Sequence, residues 1–155
     1  GGGAVTSDVM ARGYLARAVA RADALGVYQT AGAWPDVVRE AQEAVELFLK
    51  AALRSVGIEP ARTHDPADAL RANVDRFPDW FAERVPDLAA VSSELAGDRG
   101  IAFYGDERRG IPPDQLFDRR DAERALEQVS FVRSLCERLV TPCLAPPAPA
   151  GSSPS

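Results

Sequence analysis

Apolar side chains recur at three- and four-residue spacing along most of this chain, which is typical of helices with one buried face. The first such stretch covers residues 7–25, and Gly26 is expected to end it. The second lies between Pro35, which suits a first helical turn, and Gly57, which suits the position after a helix. Its apolar stripe is wide enough to predict burial on more than one side. The remaining face predicts a ladder of ion pairs from Arg39, Glu43, Glu46, Lys50 and Arg54.

Further helices are indicated by residues that begin or interrupt them. Asp65, followed by a proline, predicts the cap of a third helix that reaches about Arg76. An aromatic turn then opens another helical stretch, which Pro86 must kink or restart. The last helix is expected to open at Asp118 or Asp121 and to bury one apolar face. Short connections between successive helices favour antiparallel neighbours, so we predict an all-α, up-down antiparallel bundle of four to five helices.

Residues 98–117 interrupt this rhythm, because three glycines and two prolines fall within them and only residues 101–104 keep a helical spacing. We therefore predict a long loop, of the kind that is usually functional or mobile. The helical domain is expected to cover residues 7–140. Residues 1–6 are interpreted as a disordered N-terminus or a cloning remnant, and residues 141–155, rich in Pro, Ala and Ser, as a disordered tail.

Composition removes several classes of protein. The 155 residues suit one domain, and two cysteines with one histidine are too few for a disulfide framework or a Cys/His zinc module. We expect no metal and no cofactor. The net charge of −5 argues against duplex DNA as a partner, because nonspecific DNA affinity comes from neutralising phosphates. No apolar run is long enough for a membrane span, so a cytoplasmic location is expected.

The segment after the fourth helical stretch holds the best candidates for binding chemistry. The Arg99 guanidinium can hold a phosphate through two hydrogen bonds, and the Tyr104 ring can stack on a base. Three carboxylates complete the candidate ligand-binding set, namely Asp98, Asp106 and Glu107. The alternative is a structural role, in which Arg99 caps carbonyls or pairs with Asp98 while Phe103 and Tyr104 fill the edge of the core.

The remaining reactive side chains favour structural interpretations. His64 lies next to a helix start, so a hydrogen-bonded structural role is favoured over that of a catalytic base. Lys50 fits the ion-pair ladder, and Cys136 fits the core. Because Cys143 falls in the expected tail, no bridge to Cys136 is predicted.

Several segments together resemble the HEPN domain family. Residues 41–53 look like its central helix, and the run Thr63, His64, Asp65 followed by Leu70 is similar to its step into the next helix. Residues 99–107 lie where the family has its site loop, and the helix after Asp121 where it has its last helix. The resemblance covers roughly residues 7–140. It implies a helical bundle, frequently a two-fold homodimer.

The same resemblance implies a function connected with RNA or nucleotides. Many members are RNA-cleaving toxins or RNA-processing domains, some small free-standing members pair with a minimal nucleotidyltransferase antitoxin, and others are thought to bind nucleotides. Nuclease members carry an arginine, four to six residues, and then a histidine. Here Arg99 matches the arginine, but the histidine position holds Tyr104, Gly105 or Asp106. A phenol is a poor substitute for imidazole, because it releases its proton only in alkaline solution.

We therefore expect a noncatalytic module of the small free-standing type. It would bind a nucleotide, RNA or a nucleotidyltransferase partner through Arg99 and Tyr104, as part of a toxin–antitoxin pair in one version of this hypothesis. The alternative is a metal-independent ribonuclease toxin whose candidate catalytic residues are Arg99, Tyr104 and His64. A third hypothesis makes Tyr104 the site to which a partner nucleotidyltransferase attaches AMP.

Overall fold

The computed structural model describes the backbone of residues 2–141 and the side chains of residues 8–141. Within these residues six α-helices and two short 3-10 segments follow one another, with no strand and a single backbone bridge. The predicted all-α bundle is confirmed. The α-helices are α1 (Gly2–Thr30), α2 (Trp34–Ser55), α3 (Ala67–Ala72), α4 (Asp79–Ala82), α5 (Val85–Tyr104) and α6 (Arg119–Val140). The 3-10 segments are Val74–Arg76 and Pro113–Gln115.

Helix α2 is the centre of the bundle. It packs against α1, α5 and α6, and its apolar side chains are buried on several sides of the helix, as Val38, Leu47, Phe48 and Leu53 show. The predicted burial on more than one side is therefore confirmed. Because α2 contacts each of the other three long helices, its polar side chains meet residues from α1, α5 and the loop after α2.

Helix α1 is longer than predicted. It continues past Gly26 and ends at Thr30, so the predicted end at residue 25 is wrong. A glycine inside a helix costs about 1 kcal/mol relative to alanine. Burial of Leu25 and packing of Tyr28 against the core on either side of Gly26 offset this cost. The domain limits at residues 7 and 140 stay predictions, and the expected tail lies, from residue 142 onward, outside the described residues.

The loop predicted for residues 98–117 is wrong in its first third, because α5 continues through Gly97 and Gly100 to Tyr104. Leu95 and Ala102 are both buried on the same side of this helix, and their packing outweighs the weak helical preference of the two glycines. The irregular segment is therefore residues 105–118, with the Pro113–Gln115 turn inside it. Consequently Arg99 and Tyr104 stand on a regular helix and not on a loop.

The predicted helix starts are largely confirmed. Asp118 accepts a hydrogen bond from the Asp121 amide at 3.0 Å, and the Asp121 side chain accepts one from the Asp118 amide at 2.9 Å, which closes a capping box. Asp65 accepts a hydrogen bond from the Ala67 amide, although α3 begins one residue later than expected. The predicted end of this helix near Arg76 is wrong, because α3 ends at Ala72 and Val74–Arg76 forms a separate 3-10 segment. Pro86 restarts the chain as α5 after the short α4.

Candidate functional site

Arg99 is anchored to the central helix. Its Nε donates a hydrogen bond of 3.0 Å to Oε1 of Gln42, and its Nη2 lies 3.7 Å from Oε1 of Glu43. Asp98 makes no ion pair with Arg99 and lies near Glu94 and Asp121, and burial together with these two carboxylates raises the pKa of Asp98. The alternative in which Arg99 pairs with Asp98 is thus wrong, and the two predicted site residues face different parts of the molecule.

Gln42 connects Arg99 to the loop after α2. Its side chain is 1% exposed, and its Nε2 donates to the His64 carbonyl oxygen at 3.0 Å and to Oε1 of Glu46 at 3.1 Å. Since Arg99 can only donate, the amide oxygen must face Arg99 and the amide nitrogen must face the other two groups. One buried amide therefore sets the distance between Arg99 and the His64 loop.

His64 forms a pair with Glu46. Its Nδ1 lies 2.8 Å from Oε1 of Glu46, while its side chain is 60% exposed. Burial alone would raise the pKa of Glu46, but hydrogen bonds from Lys50, His64 and Gln42 outweigh burial and lower it. Glu46 is therefore an anion that accepts a hydrogen bond from the Nδ1–H of His64, which leaves Nε2 of His64 available to a ligand. The predicted hydrogen-bonded histidine and the predicted pair of Lys50 with Glu46, at 2.9 Å, are both present.

The loop that carries His64 is also tied to α5. Asp65 accepts hydrogen bonds from Ser92 Oγ at 2.7 Å and from Ser93 Oγ at 2.9 Å, in addition to the Ala67 amide at 3.0 Å. Burial raises the pKa of Asp65, but these three donors together lower it below its ordinary value. The His64 loop is thus held from α2 through Gln42 and from α5 through Asp65.

Tyr104 and Phe103 form an exposed aromatic pair at the end of α5. Their side chains are 63% and 52% exposed, and their ring centroids lie 4.5 Å apart with the rings nearly perpendicular. The guanidinium carbon of Arg39 lies 4.6 Å from the Phe103 centroid. The alternative in which both rings fill the edge of the core is wrong. The Arg39 guanidinium lies over the Phe103 ring, whereas Tyr104 is largely open to solvent.

Three neighbouring pockets are each lined by Arg99, by Tyr104 or by both. The first, of about 180 Å³, is lined by Arg17, Arg21, Glu43, Glu46, Leu47, His64 and Arg99. The second, of about 140 Å³, is lined by Arg39, Arg99, Gly100, Phe103 and Tyr104. The third is a groove of about 650 Å³ between α5 and the following loop, and Tyr104 lies on its edge. Because Arg99 borders the first two pockets and Tyr104 the last two, the three pockets adjoin one another in a row, which we call the track.

The other predicted carboxylates line only the groove. Asp106 accepts hydrogen bonds from the Arg109 side chain at 2.8 Å and from the Arg109 amide at 3.1 Å. These bonds lower its pKa. Glu107 is exposed on the groove wall. The structure therefore brings Tyr104, Asp106 and Glu107 together at the groove and Arg99 and His64 together at the 180 Å³ pocket, with Asp98 in neither.

Sequence reasoning missed Gln42 and the α1 residues Arg17 and Arg21, and it assigned Glu43 and Glu46 only to the ion-pair ladder of α2. Gln42 carried a usable signal, because a polar residue four positions after Val38 and three before Val45 interrupts an apolar stripe. Such a residue is buried with polar partners or faces a site. The two α1 arginines carried no such signal, since a charged residue on an amphipathic helix is most simply explained by solvent.

Some kinds of site are not found in the described part of the chain. No cluster of His, Cys, Asp or Glu side chains there has a geometry that could hold a metal ion. Within the same residues, no helix is both long and apolar enough to cross a bilayer. Burial raises the pKa of the Cys136 thiol, which makes it unreactive.

Comparison with known proteins identifies the family. No curated protein and no solved structure matches the chain. The HEPN domain family does match, over residues 11–139, and its members are linked to ribonuclease and nucleotide-related roles. The matched region begins in α1 and ends in α6, and the fold is all-helical as this family requires. The chain therefore belongs to the HEPN domain family.

Proposed function

We propose that this domain binds a nucleotide or a short segment of single-stranded RNA along the track of three pockets that Arg99 and Tyr104 join. The supporting observation is that these two side chains are shared between adjacent pockets. A guanidinium holds phosphate oxygens and a tyrosine ring stacks on a base, so a group that binds phosphate lies next to a group that binds a base along this surface.

Pocket sizes favour an extended ligand over a compact one. Sites for small molecules usually measure about 300–1,000 Å³. The two pockets beside Arg99, of about 180 and 140 Å³, are too small for a whole nucleotide, whereas the 650 Å³ groove beyond Tyr104 is within that range. A chain that places one base at Tyr104 and a phosphate at Arg99 would use all three.

The C-terminal end of α5, where Tyr104 lies, supports proposals of a protein partner. Ile101, Phe103 and Tyr104 are large apolar or aromatic side chains that are all exposed there. Exposed apolar groups that lie together often mark interaction surfaces. We extend the proposal to a homodimer, and to a toxin–antitoxin pair in which a minimal nucleotidyltransferase acts on the exposed Tyr104.

Binding of a labelled single-stranded RNA and of ATP, measured by fluorescence anisotropy, tests the proposed function. Arg99→Ala is expected to weaken RNA binding at least about 10-fold, since hydrogen bonds to charged groups contribute about 1.5–3 kcal/mol. Tyr104→Ala is expected to weaken it by a similar factor through loss of stacking, while Tyr104→Phe keeps most of the affinity.

Arg71→Ala is the matched control, because Arg71 is an exposed arginine that pairs with Asp68 and lines none of the three pockets. The affinity of this variant should equal that of the wild type. If neither RNA nor ATP binds saturably, or if Arg71→Ala is as weak as Arg99→Ala, the proposed function is wrong.

A metal-independent ribonuclease is the second candidate, and one observation favours it. His64 lines the same pocket as Arg99, although 35 positions separate them in the sequence. Its Nδ1 is held by Glu46, so Nε2 could exchange a proton with a ribose hydroxyl while Arg99 stabilises charge on the phosphate. In this version His64, and not Tyr104, replaces the missing histidine of the nuclease pattern.

Cleavage of a labelled RNA in the presence of EDTA separates the two candidates. If the domain is a nuclease, His64→Ala should reduce the cleavage rate at least about 100-fold, as expected for loss of a general acid or base. RNA affinity should fall by a much smaller factor than the cleavage rate. The Tyr104→Phe variant should cleave at the wild-type rate. If the wild-type protein binds the RNA but does not cleave it, the ribonuclease candidate is wrong and the proposed binding function stands.

A further inference from the structure

An unusual arrangement of charge surrounds Glu43. Its carboxylate lies 3.3 Å from Nε of Arg21, 3.8 Å from Nη2 of Arg39 and 3.7 Å from Nη2 of Arg99. Close pairs of this type have N–O distances of about 2.7–2.9 Å. One carboxylate therefore stands between three guanidinium groups from α1, α2 and α5, and all three distances are longer than this. Arg39 has Glu40 as a second partner at 3.0 Å, so the excess positive charge lies on Arg21 and Arg99.

The neighbouring charges do not remove this excess. Arg17 lines the same pocket, and among residues 8–141 no carboxylate lies within ion-pair distance of it. Glu46 is the other acid in the pocket, but Lys50 and His64 already contact it. In a chain with a net charge of −5, this pocket is a local region of positive charge.

We infer that Arg17 and Arg21, together with Arg99 and His64, form a subsite for one phosphate group of the bound nucleotide or RNA. The inference rests on the proposed function and names the chemistry at one end of the track. The volume of about 180 Å³ suits a single phosphate group and not a whole nucleotide. Arg17 and Arg21 stand one helical turn apart, so both guanidinium groups can reach the same anion.

A structural alternative assigns the arginines to helix packing, with Arg21 joining α1 to α2 through Glu43. Substitution of Glu43 distinguishes the phosphate subsite from this structural alternative. If the arginines hold a phosphate, the Glu43 carboxylate competes with the ligand, and Glu43→Gln should tighten RNA binding by about 3- to 10-fold. If the arginines only hold the helices together, Glu43→Gln should lower the melting temperature and leave RNA affinity unchanged.

The direct test combines RNA affinity with a titration by inorganic phosphate. Arg17→Ala and Arg21→Ala should each weaken RNA binding about 10-fold and lower the dependence of affinity on salt by about one unit per lost contact. Arg12→Ala is the matched control, since Arg12 lies on the same helix, pairs with Asp8 and lies outside the pocket. Thermal unfolding of each variant, with Arg21→Lys as a second substitution, checks that the fold is intact.

In the second measurement, inorganic phosphate is added while the arginine Nε–H signals are followed by NMR. We expect the Arg17 and Arg21 signals to shift in a saturable way and the Arg12 signal to stay unchanged. Comparison of 5′-phosphorylated with 5′-hydroxyl RNA separates a terminal phosphate from an internal phosphodiester. Binding of either a terminal phosphate or an internal phosphodiester agrees with the proposed subsite.

The subsite is overturned if the double variant Arg17→Ala/Arg21→Ala binds RNA as tightly as the wild type and phosphate shifts neither signal. If Arg99→Ala still loses affinity in that case, the proposed function stands without the subsite. Conversely, if no RNA binds but phosphate shifts both signals, the subsite exists and the proposed function is wrong.

Discussion

Replacing Gly105 with alanine is expected to detach the loop that forms the far wall of the groove. Gly105 has φ 72° and ψ −159°, a conformation that is almost exclusive to glycine. A Cβ there would lie 2.2 Å from the Ile111 carbonyl oxygen and 3.0 Å from Pro113. Backbone strain alone costs about 1–3 kcal/mol, and the overlap adds to it, so we expect a loss of about 3 kcal/mol or more in the stability of this loop.

Hydrogen exchange gives the sharpest measurement of this effect. Asp106 and Ile111 exchange backbone hydrogen bonds of 2.8 and 3.0 Å across the base of the loop. Their amides should lose protection in Gly105→Ala, whether or not the whole domain unfolds at a lower temperature. Gly97→Ala is the control, since a Cβ at that helical position meets nothing within 4 Å and should stabilise α5 by about 0.5–1 kcal/mol. Unchanged protection in Gly105→Ala would contradict the prediction.

Gln42→Leu is expected to disturb both stability and binding. Leucine has a similar size but cannot accept from Arg99 or donate to Glu46 and the His64 carbonyl oxygen. A buried polar group without a partner costs about 1–3 kcal/mol, so we expect a loss of about 2–3 kcal/mol in the free energy of unfolding. RNA affinity should fall as well, because Arg99 and the His64 loop lose the group that holds them together.

Denaturant unfolding and fluorescence anisotropy measure the two effects separately. Gln128→Leu is the matched control, because Gln128 also donates to a glutamate, at 2.8 Å from Glu94, but near the surface. That variant should lose less than about 0.5 kcal/mol and should bind RNA as the wild type does. Should Gln42→Leu prove as stable as Gln128→Leu, with normal affinity, Gln42 would not be the connecting residue described above.

Local sequence was sufficient for the helices whose signals are strong and redundant. The stripe of α2, with Pro35 in its first turn and Gly57 after its end, identifies the central helix without any knowledge of its neighbours. For the start of α6 the sequence offered Asp118 or Asp121, and the structure joins the two in one capping box. These features depend on groups at most four residues apart, so the sequence displays them directly.

Glycines caused the two errors in which a helix proved longer than predicted. At Gly26, Gly97 and Gly100 the local preference against a helix is about 1 kcal/mol each. The helix continues at all three, because apolar neighbours such as Leu25 and Ala102 are buried against α2 or the rest of the core. At Gly105 the chain does turn, since its positive φ and the contact with Ile111 belong to the loop that follows. Composition alone could not distinguish these cases.

The residues of the site likewise fall into those that the sequence displays and those that only the structure brings together. Arg99 and Tyr104 could be proposed from the sequence, because an arginine that suits a phosphate and an aromatic ring that suits a base lie five positions apart, although both were predicted to lie in a loop. The partners of Arg99 could not, since Gln42 lies 57 positions away and Arg17 and Arg21 look like ordinary solvated residues. His64 was interpreted as structural for the same reason, although it shares a pocket with Arg99.

Pattern and local chemistry thus determine that this chain forms a helical bundle and which of its side chains can hold a phosphate or stack on a base. Tertiary packing alone decides which of these side chains meet. Burial of α2 against α1 and α5 brings the Gln42 amide between Arg99 and the His64 loop and surrounds Glu43 with arginines from three helices. A buried amide must find partners and like charges must share a counterion, and here groups far apart in sequence supply part of both, namely Arg99 and the His64 carbonyl for Gln42, and Arg21 and Arg99 for Glu43.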